Sequence, residues 1–199
     1  MSKLDLTKEY KSYYKAGKKP EIVEFKIANY LAIEGKGEPA GELFVSKVEA
    51  LYPLAYGIKK ICKEQDNDFG VPKLEGLWWV EGNTPALEIP RSEWHWKLLI
   101  RMPEFVTKEM MRTVQPEVAT KKKKNLIQEI SFESITEGKC VQIMHVGPYA
   151  TEPDTINQLL NFVKDNGLTV NGLHHEIYIS DPRKTVPEKL KTLIRYPVK

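Results

Sequence analysis

Trp96-Lys97-Leu98-Leu99-Ile100-Arg101-Met102-Pro103 returns near the other end of the chain as Leu190-Lys191-Thr192-Leu193-Ile194-Arg195-Tyr196-Pro197, with five of the eight positions identical. A repeated strand ending implies a repeated unit. Two related units packed about a shared axis create a cleft, and seams between halves are common places for small-molecule sites. The repeat therefore sets both the expected fold and the place to look for function.

The residues ahead of each copy follow the same order. In the first half, 22–27 alternate apolar and polar and 30–35 continue extended, which are strand signals. A Gly-Lys-Gly-Glu-Pro turn at 35–39 leads to apolar residues at helical spacing from about 41 to 62. Residues 74–80 and 94–102 then read as two strands. In the second half, 127–132 and 139–146 are strand-like, and Gly147-Pro148-Tyr149 is the turn. Residues 152–166 predict a helix with Ile156, Leu159, Leu160 and Val163 on its apolar face and Gly167 as its stop. Residues 174–179 and 190–196 close the unit.

The expected fold class is α+β: duplicated β-α-β-β units form a mostly antiparallel sheet, with helices on one face and a ligand groove on the other. Residues 1–20 read as an N-terminal arm and 21–199 as one domain. Within it the first unit covers about 21–105, a linker helix about 106–124 and the second unit about 125–199.

With 199 residues the chain can bury a sizeable core without a metal or a disulfide. Thirty basic against 27 acidic side chains give +3, too balanced for a dedicated nucleic-acid binder. Cys62 and Cys140 are far apart and unpatterned, as expected in a reduced interior. No signal peptide and no membrane-length apolar run is present, so the expected location is cytoplasmic. Lys121 to Lys124 read as a solvated linker rather than a phosphate contact.

Chemistry concentrates in His174-His175-Glu176-Ile177-Tyr178-Ile179. Side chains alternate along a strand, so His174, Glu176 and Tyr178 share one face. If the isoleucines cover the helix-backed core, the other three line the groove. A carboxylate among aromatic rings either tends to hold a proton or awaits a cation. The plainer alternative is a glutamate on a solvated sheet face. All four tryptophans fall on the two strands of the first unit, and Trp94 and Trp96 share a face. With Trp78, Tyr56, Tyr149 and Tyr178 they can form a box of rings that stacks on flat ligands or holds cations. The bland alternative is core packing. His145 and His174 are placed to hydrogen-bond in the groove, with a structural role as the other option. No spacing fits a metal site, a nucleotide loop or a nucleophile elbow, so neither metal nor cofactor is expected.

The segments Trp96 through Val106, Val141-Gln142-Ile143-Met144-His145-Val146-Gly147-Pro148-Tyr149, Glu176-Ile177-Tyr178-Ile179-Ser180-Asp181-Pro182-Arg183 and Leu190 through Pro197 resemble the GyrI-like small-molecule-binding family. The resemblance runs from about residue 20 to the end. It implies an SHS2-type duplicated fold and an acidic residue, here Glu176, at the floor of an aromatic pocket. The family supplies the ligand-sensing half of multidrug-responsive regulators and also occurs alone; the first 20 residues are too short for a helix-turn-helix. Some stand-alone members hydrolyse cyclopropane-bearing DNA-alkylating natural products in an aromatic cage. The resemblance thus implies a xenobiotic-detoxifying cyclopropyl hydrolase, with Glu176 and Tyr178 as catalytic candidates. Trp78, Trp94, Trp96, Tyr56, Tyr149, His145 and His174 are the ligand-binding candidates. The alternative is a sequestering or sensing module for flat aromatic or cationic drugs, in either case a monomer or homodimer.

Overall fold

The computed structural model describes residues 3–82, 84 and 86–199. In chain order they form α1 (Leu6–Glu9), α2 (Lys11–Tyr14), β1 (Glu21–Phe25), β2 (Ala28–Lys36), α3 (Glu42–Glu64), β3 (Leu74–Trp79) and β4 (His95–Met102). There follow α4 (Lys108–Lys122), β5 (Ser131–Ile135), β6 (Gly138–Val146), α5 (Glu152–Asp165), β7 (His174–Tyr178) and β8 (Lys191–Pro197). The fold is a mixed α+β arrangement with antiparallel pairing throughout the strand ladders below, as the repeat predicts. No described helix is long and apolar enough to cross a membrane.

The chain divides into two compact units. Unit 1 holds residues 1–9 and 28–135, with strands in the order β5-β2-β4-β3. Helix α3 packs on β2 and β4, and α4 packs on α3. Leu31, Ile33, Leu98 and Ile100 of the sheet and Leu51, Leu54 and Ile58 of α3 are essentially inaccessible to water. Trp96 stands opposite Gly35 across the β2–β4 ladder. Its indole occupies the space a side chain at Gly35 would need, since a Cβ there would lie 2.1 Å from the ring. Only glycine lets so large a side chain lie flat against the neighbouring strand.

Unit 2 holds residues 10–27 and 136–199, with strands in the order β1-β6-β8-β7. Helix α5 covers one face through Val141, Ile143, Leu159, Val163, Ile194 and Val198. The other face carries Arg195, Gln142 and His175. Arg195 is fully buried; it donates to Gln142, to the Tyr13 carbonyl at 2.7 Å and to Glu137 at 2.7 Å, and lies over the Phe25 and Tyr13 rings. Burial alone would raise the Glu137 carboxyl, but His175 and Arg195 outweigh it and hold it at about 2. The α2 segment closes this face, because Gln142 donates to the Ser12 and Lys15 carbonyls. The far face of unit 2 is therefore closed, while α5 covers only part of the other, on which Tyr149 stays exposed.

These pairings divide the chain elsewhere than the periodicity suggests. β1 pairs with β6 and so belongs to unit 2, while β5 pairs with β2 and belongs to unit 1. Each unit takes one strand from the stretch of sequence assigned to the other. The expected arm at 1–20 is likewise shared, and it forms two single-turn helices with Tyr13 and Tyr14 buried.

Candidate functional site: a carboxylate pair under tyrosines

In unit 2, Glu176 stands opposite Ile194 and Tyr178 opposite Thr192 across the β7–β8 ladder. Ile194 is part of the apolar core beneath α5. Directly paired residues of antiparallel strands point to the same side, so Glu176 and Tyr178, with His174, share the α5 face. The alternation that brings the three together is the expected one, but the face is not. They lie on the helix-bearing side, not on an open groove opposite it, because the far side is filled by Arg195, His175 and the N-terminal segment.

Glu176 accepts or shares a hydrogen bond with His174 Nε2 at 2.8 Å, both side chains being only 13% exposed. The His174 ring lies 5.0 Å from Tyr196. Tyr178 meets Tyr149 edge-on, ring centres 6.3 Å apart. Burial, with Glu152, Glu176 and Asp181 nearby, pushes the Tyr149 phenol up to about 12. Burial and Glu176 do the same to Tyr196. These phenols are hydrogen-bond donors at neutral pH, not nucleophiles.

Three contributors were not singled out from sequence: Glu152, Thr192 and Tyr196. Glu152 opens α5, is 6% exposed and accepts a hydrogen bond from the Thr192 side chain, while its Oε1 has no partner. Burial and the Glu176 charge raise its carboxyl to about 8, against the Thr192 bond, which favours the charged form. An acid in the first turn of a helix is ordinarily explained by the helix dipole, which hides a residue such as this one. Thr192 and Tyr196 are positions where the two copies of the repeat differ, the first copy having Leu98 and Met102 there, and that difference was the available signal.

His145 makes its hydrogen bonds within the protein. Its Nε2–H donates to the Pro148 carbonyl at 3.2 Å and its Nδ1 accepts from Thr155 at 2.8 Å, so both ring nitrogens are used within the protein. Gly147, at φ 147, makes the turn a side chain would strain. Together they set the position of Tyr149.

The tryptophans belong to unit 1, where Trp78, Trp94 and Trp96 cluster on the helix-facing side, while Trp79 points to the other face and stacks on His95 with ring centres 5.4 Å apart. Phe44 of α3 stacks on Trp78 at 5.8 Å and meets Trp96 edge-on at 5.2 Å; Trp94 lies edge-on to Trp78 at 6.2 Å. Trp96 is fully buried and donates its indole N–H to the Gly37 carbonyl, which makes it a core residue rather than a ligand contact. Trp78 is 7% exposed. Trp94 precedes β4, is half-buried, donates to the Ile89 carbonyl and has Arg91 above it. Tyr56 does not join these rings. It is twelve residues beyond Phe44 on α3, about 18 Å along the axis, and lines a hollow of about 630 Å³ between α3 and α4 with Tyr52, Val114 and Val118. No cluster of three or more potential metal ligands occurs among the described residues.

No curated protein matches the chain significantly. Among solved structures, one hydrolase from Listeria innocua is 39% identical with a TM-score of 0.88, the match covering 100% of both chains. Another hydrolase from the same organism is 39% identical with a TM-score of 0.86, over 99% of this chain and 100% of the other. An uncharacterized conserved protein from Listeria innocua gives 0.92 at 39% identity over the same shares. Residues 18–199 match the GyrI-like small molecule binding domain, and the chain belongs to that family.

Proposed function

We propose that the α5 face of unit 2 binds flat aromatic molecules and hydrolyses those carrying a cyclopropane conjugated to a ketone, protecting the cell from DNA alkylation. The observation that carries this is Glu176, held by His174 among Tyr149, Tyr178 and Tyr196. The Listeria hydrolases at 39% identity support the reaction class.

In the reaction, the Tyr178 phenol donates a hydrogen bond to the ketone oxygen, and Tyr149 supplies ring surface for the conjugated system. Water attacks the cyclopropane CH₂ carbon while Glu176 takes its proton. The strained C–C bond breaks, and its electron pair moves into the dienone to form a phenolate. That phenolate then takes a proton, so the net change is one added water. Strain release and aromatisation drive the step, leaving the protein to orient the reactants and hold one base. On unit 1, Trp94 keeps ring surface that a ligand can use.

The experiment is product analysis by mass spectrometry with the wild type and Glu176→Gln. Gain of one water with the wild type, and a loss of about 10²-fold or more in the variant with binding retained, is expected. Equal rates would overturn the mechanism. The neighbouring Glu152 and Glu176 carboxyls also favour a second function, sequestration of aromatic cations. In that case recovered ligand has unchanged mass.

A further inference from the structure

Glu152 has no part in the reaction above, yet it is the most deeply buried carboxyl on that face. It is 6% exposed, one oxygen faces the Thr192 hydroxyl and the other, Oε1, is sealed from solvent with no hydrogen-bond partner. A buried carboxylate with an unpaired oxygen and a second carboxylate within electrostatic reach is a poor place for a charge. Glu176 differs: it is partly exposed and has His174 at 2.8 Å. Of the two, Glu152 is the one to carry a proton.

We propose that Glu152 is the proton-bearing member of a pair with Glu176, and that its proton sets the charge of ligand the site accepts. With the proton on, the site is one negative charge poorer and suits a neutral or singly charged aromatic. With the proton gone it gains that charge and suits a dication. This rests on the α5 face of unit 2 being the ligand site.

The groups around Glu152 are consistent with such a switch. β7 contributes His174, Glu176 and Tyr178; β8 contributes Thr192 and Tyr196; β6 contributes His145, already bonded to Thr155 and Pro148. Tyr149 and Tyr196 stay protonated to about 12, and Asp181, bonded to Arg183, stays ionised down to about 2. Between these limits Glu152, raised to about 8 by burial and by Glu176, is the carboxyl that changes charge near neutrality. The α5 N-terminus and the Thr192 bond favour its charged form and keep the transition within reach.

Ethidium and propidium test this, since they share one ring system and carry one and two positive charges. Their affinities are followed by fluorescence from about pH 6 to about pH 9. For the wild type, propidium affinity rises up to about tenfold per pH unit below about pH 8 relative to ethidium, and propidium binding at neutral pH releases about one proton by calorimetry in two buffers. Glu152→Gln is flat at the acid-side ratio and releases none. Thr192→Val, which removes the bond favouring the charge, moves the transition upward by about one pH unit and serves if Glu152→Gln does not fold. A pH-independent ratio in the wild type, or an unchanged transition in both variants, overturns the proposal while leaving the binding site intact. Failure of either dye to bind at any pH overturns the site as well. Absence of hydrolysis alone touches only the reaction proposed above.

Discussion

Unit 1 and unit 2 use one ladder twice and fill it differently. Ile100 faces Leu74 and Leu31 in unit 1; its counterpart Ile194 faces Glu176 and Ile143 in unit 2. Leu98 faces Gly76 and Ile33, whereas its counterpart Thr192 faces Tyr178 and His145. Even the turn is kept: Gly35 stands opposite Trp96, and the Gly147 N–H donates to the carbonyl of Leu190. Leucine, glycine, isoleucine and leucine on the helix side of one unit become glutamate, tyrosine, histidine and threonine on the other. Burying such groups is unfavourable unless they are paired, and unit 2 pairs most of them. On the helix side, unit 2 gives up apolar core for titratable groups, and unit 1 keeps the core.

The largest expected effect lies in unit 1. Trp96→Ala should lower the stability of unit 1 by about 3–5 kcal/mol, and its counterpart Leu190→Ala that of unit 2 by about 2 kcal/mol, both measured by urea unfolding. Equal losses would remove the contrast in packing. Glu176→Leu writes the unit 1 residue into unit 2; it should cut ligand affinity or turnover by about 10²-fold while leaving the melting temperature unchanged or higher. A variant that melts lower yet still binds would show that Glu176 is structural.

A pH series sharpens the same contrast. The folded Glu152 carboxyl, at about 8, lies above its ordinary 4.5. Its stabilising contribution is therefore fully present below about pH 4.5 and is lost as pH rises through about 8. The wild type should lose up to about 1.4 kcal/mol per pH unit in that window relative to Glu152→Gln. Parallel stability curves for the two proteins would contradict the shared proton. Smallest of all, Tyr56→Ala on exposed α3 should change ligand affinity and stability by less than about 0.5 kcal/mol; a larger loss of affinity would return Tyr56 to the site.

The repeat and the alternation in 174–179 made the strands, the helices and the grouping of His174, Glu176 and Tyr178 legible. Partnership was not, because Ile22 pairs with Val141 and Leu31 with Phe132, and nothing local marks such distant pairs. The side of the sheet was lost because both sides carry buried residues, one an apolar core under α5 and one the Arg195 cluster, so alternation alone does not say which side is open. The tryptophans misled because a ring that fills the space over Gly35 and one that meets a ligand have the same sequence signature. Glu152 escaped because a first-turn acid ordinarily needs no other reason.

The crossed strands bear on how the chain reaches its folded state. β1 leaves the ribosome early but must wait for β6 before its hydrogen bonds close, and β2 must wait for β5. Long loop closures of this kind slow folding and leave strand edges exposed meanwhile. No single cut between residues 27 and 136 yields two complete pieces, so fragments divided there should recover their structure only when mixed, by strand complementation.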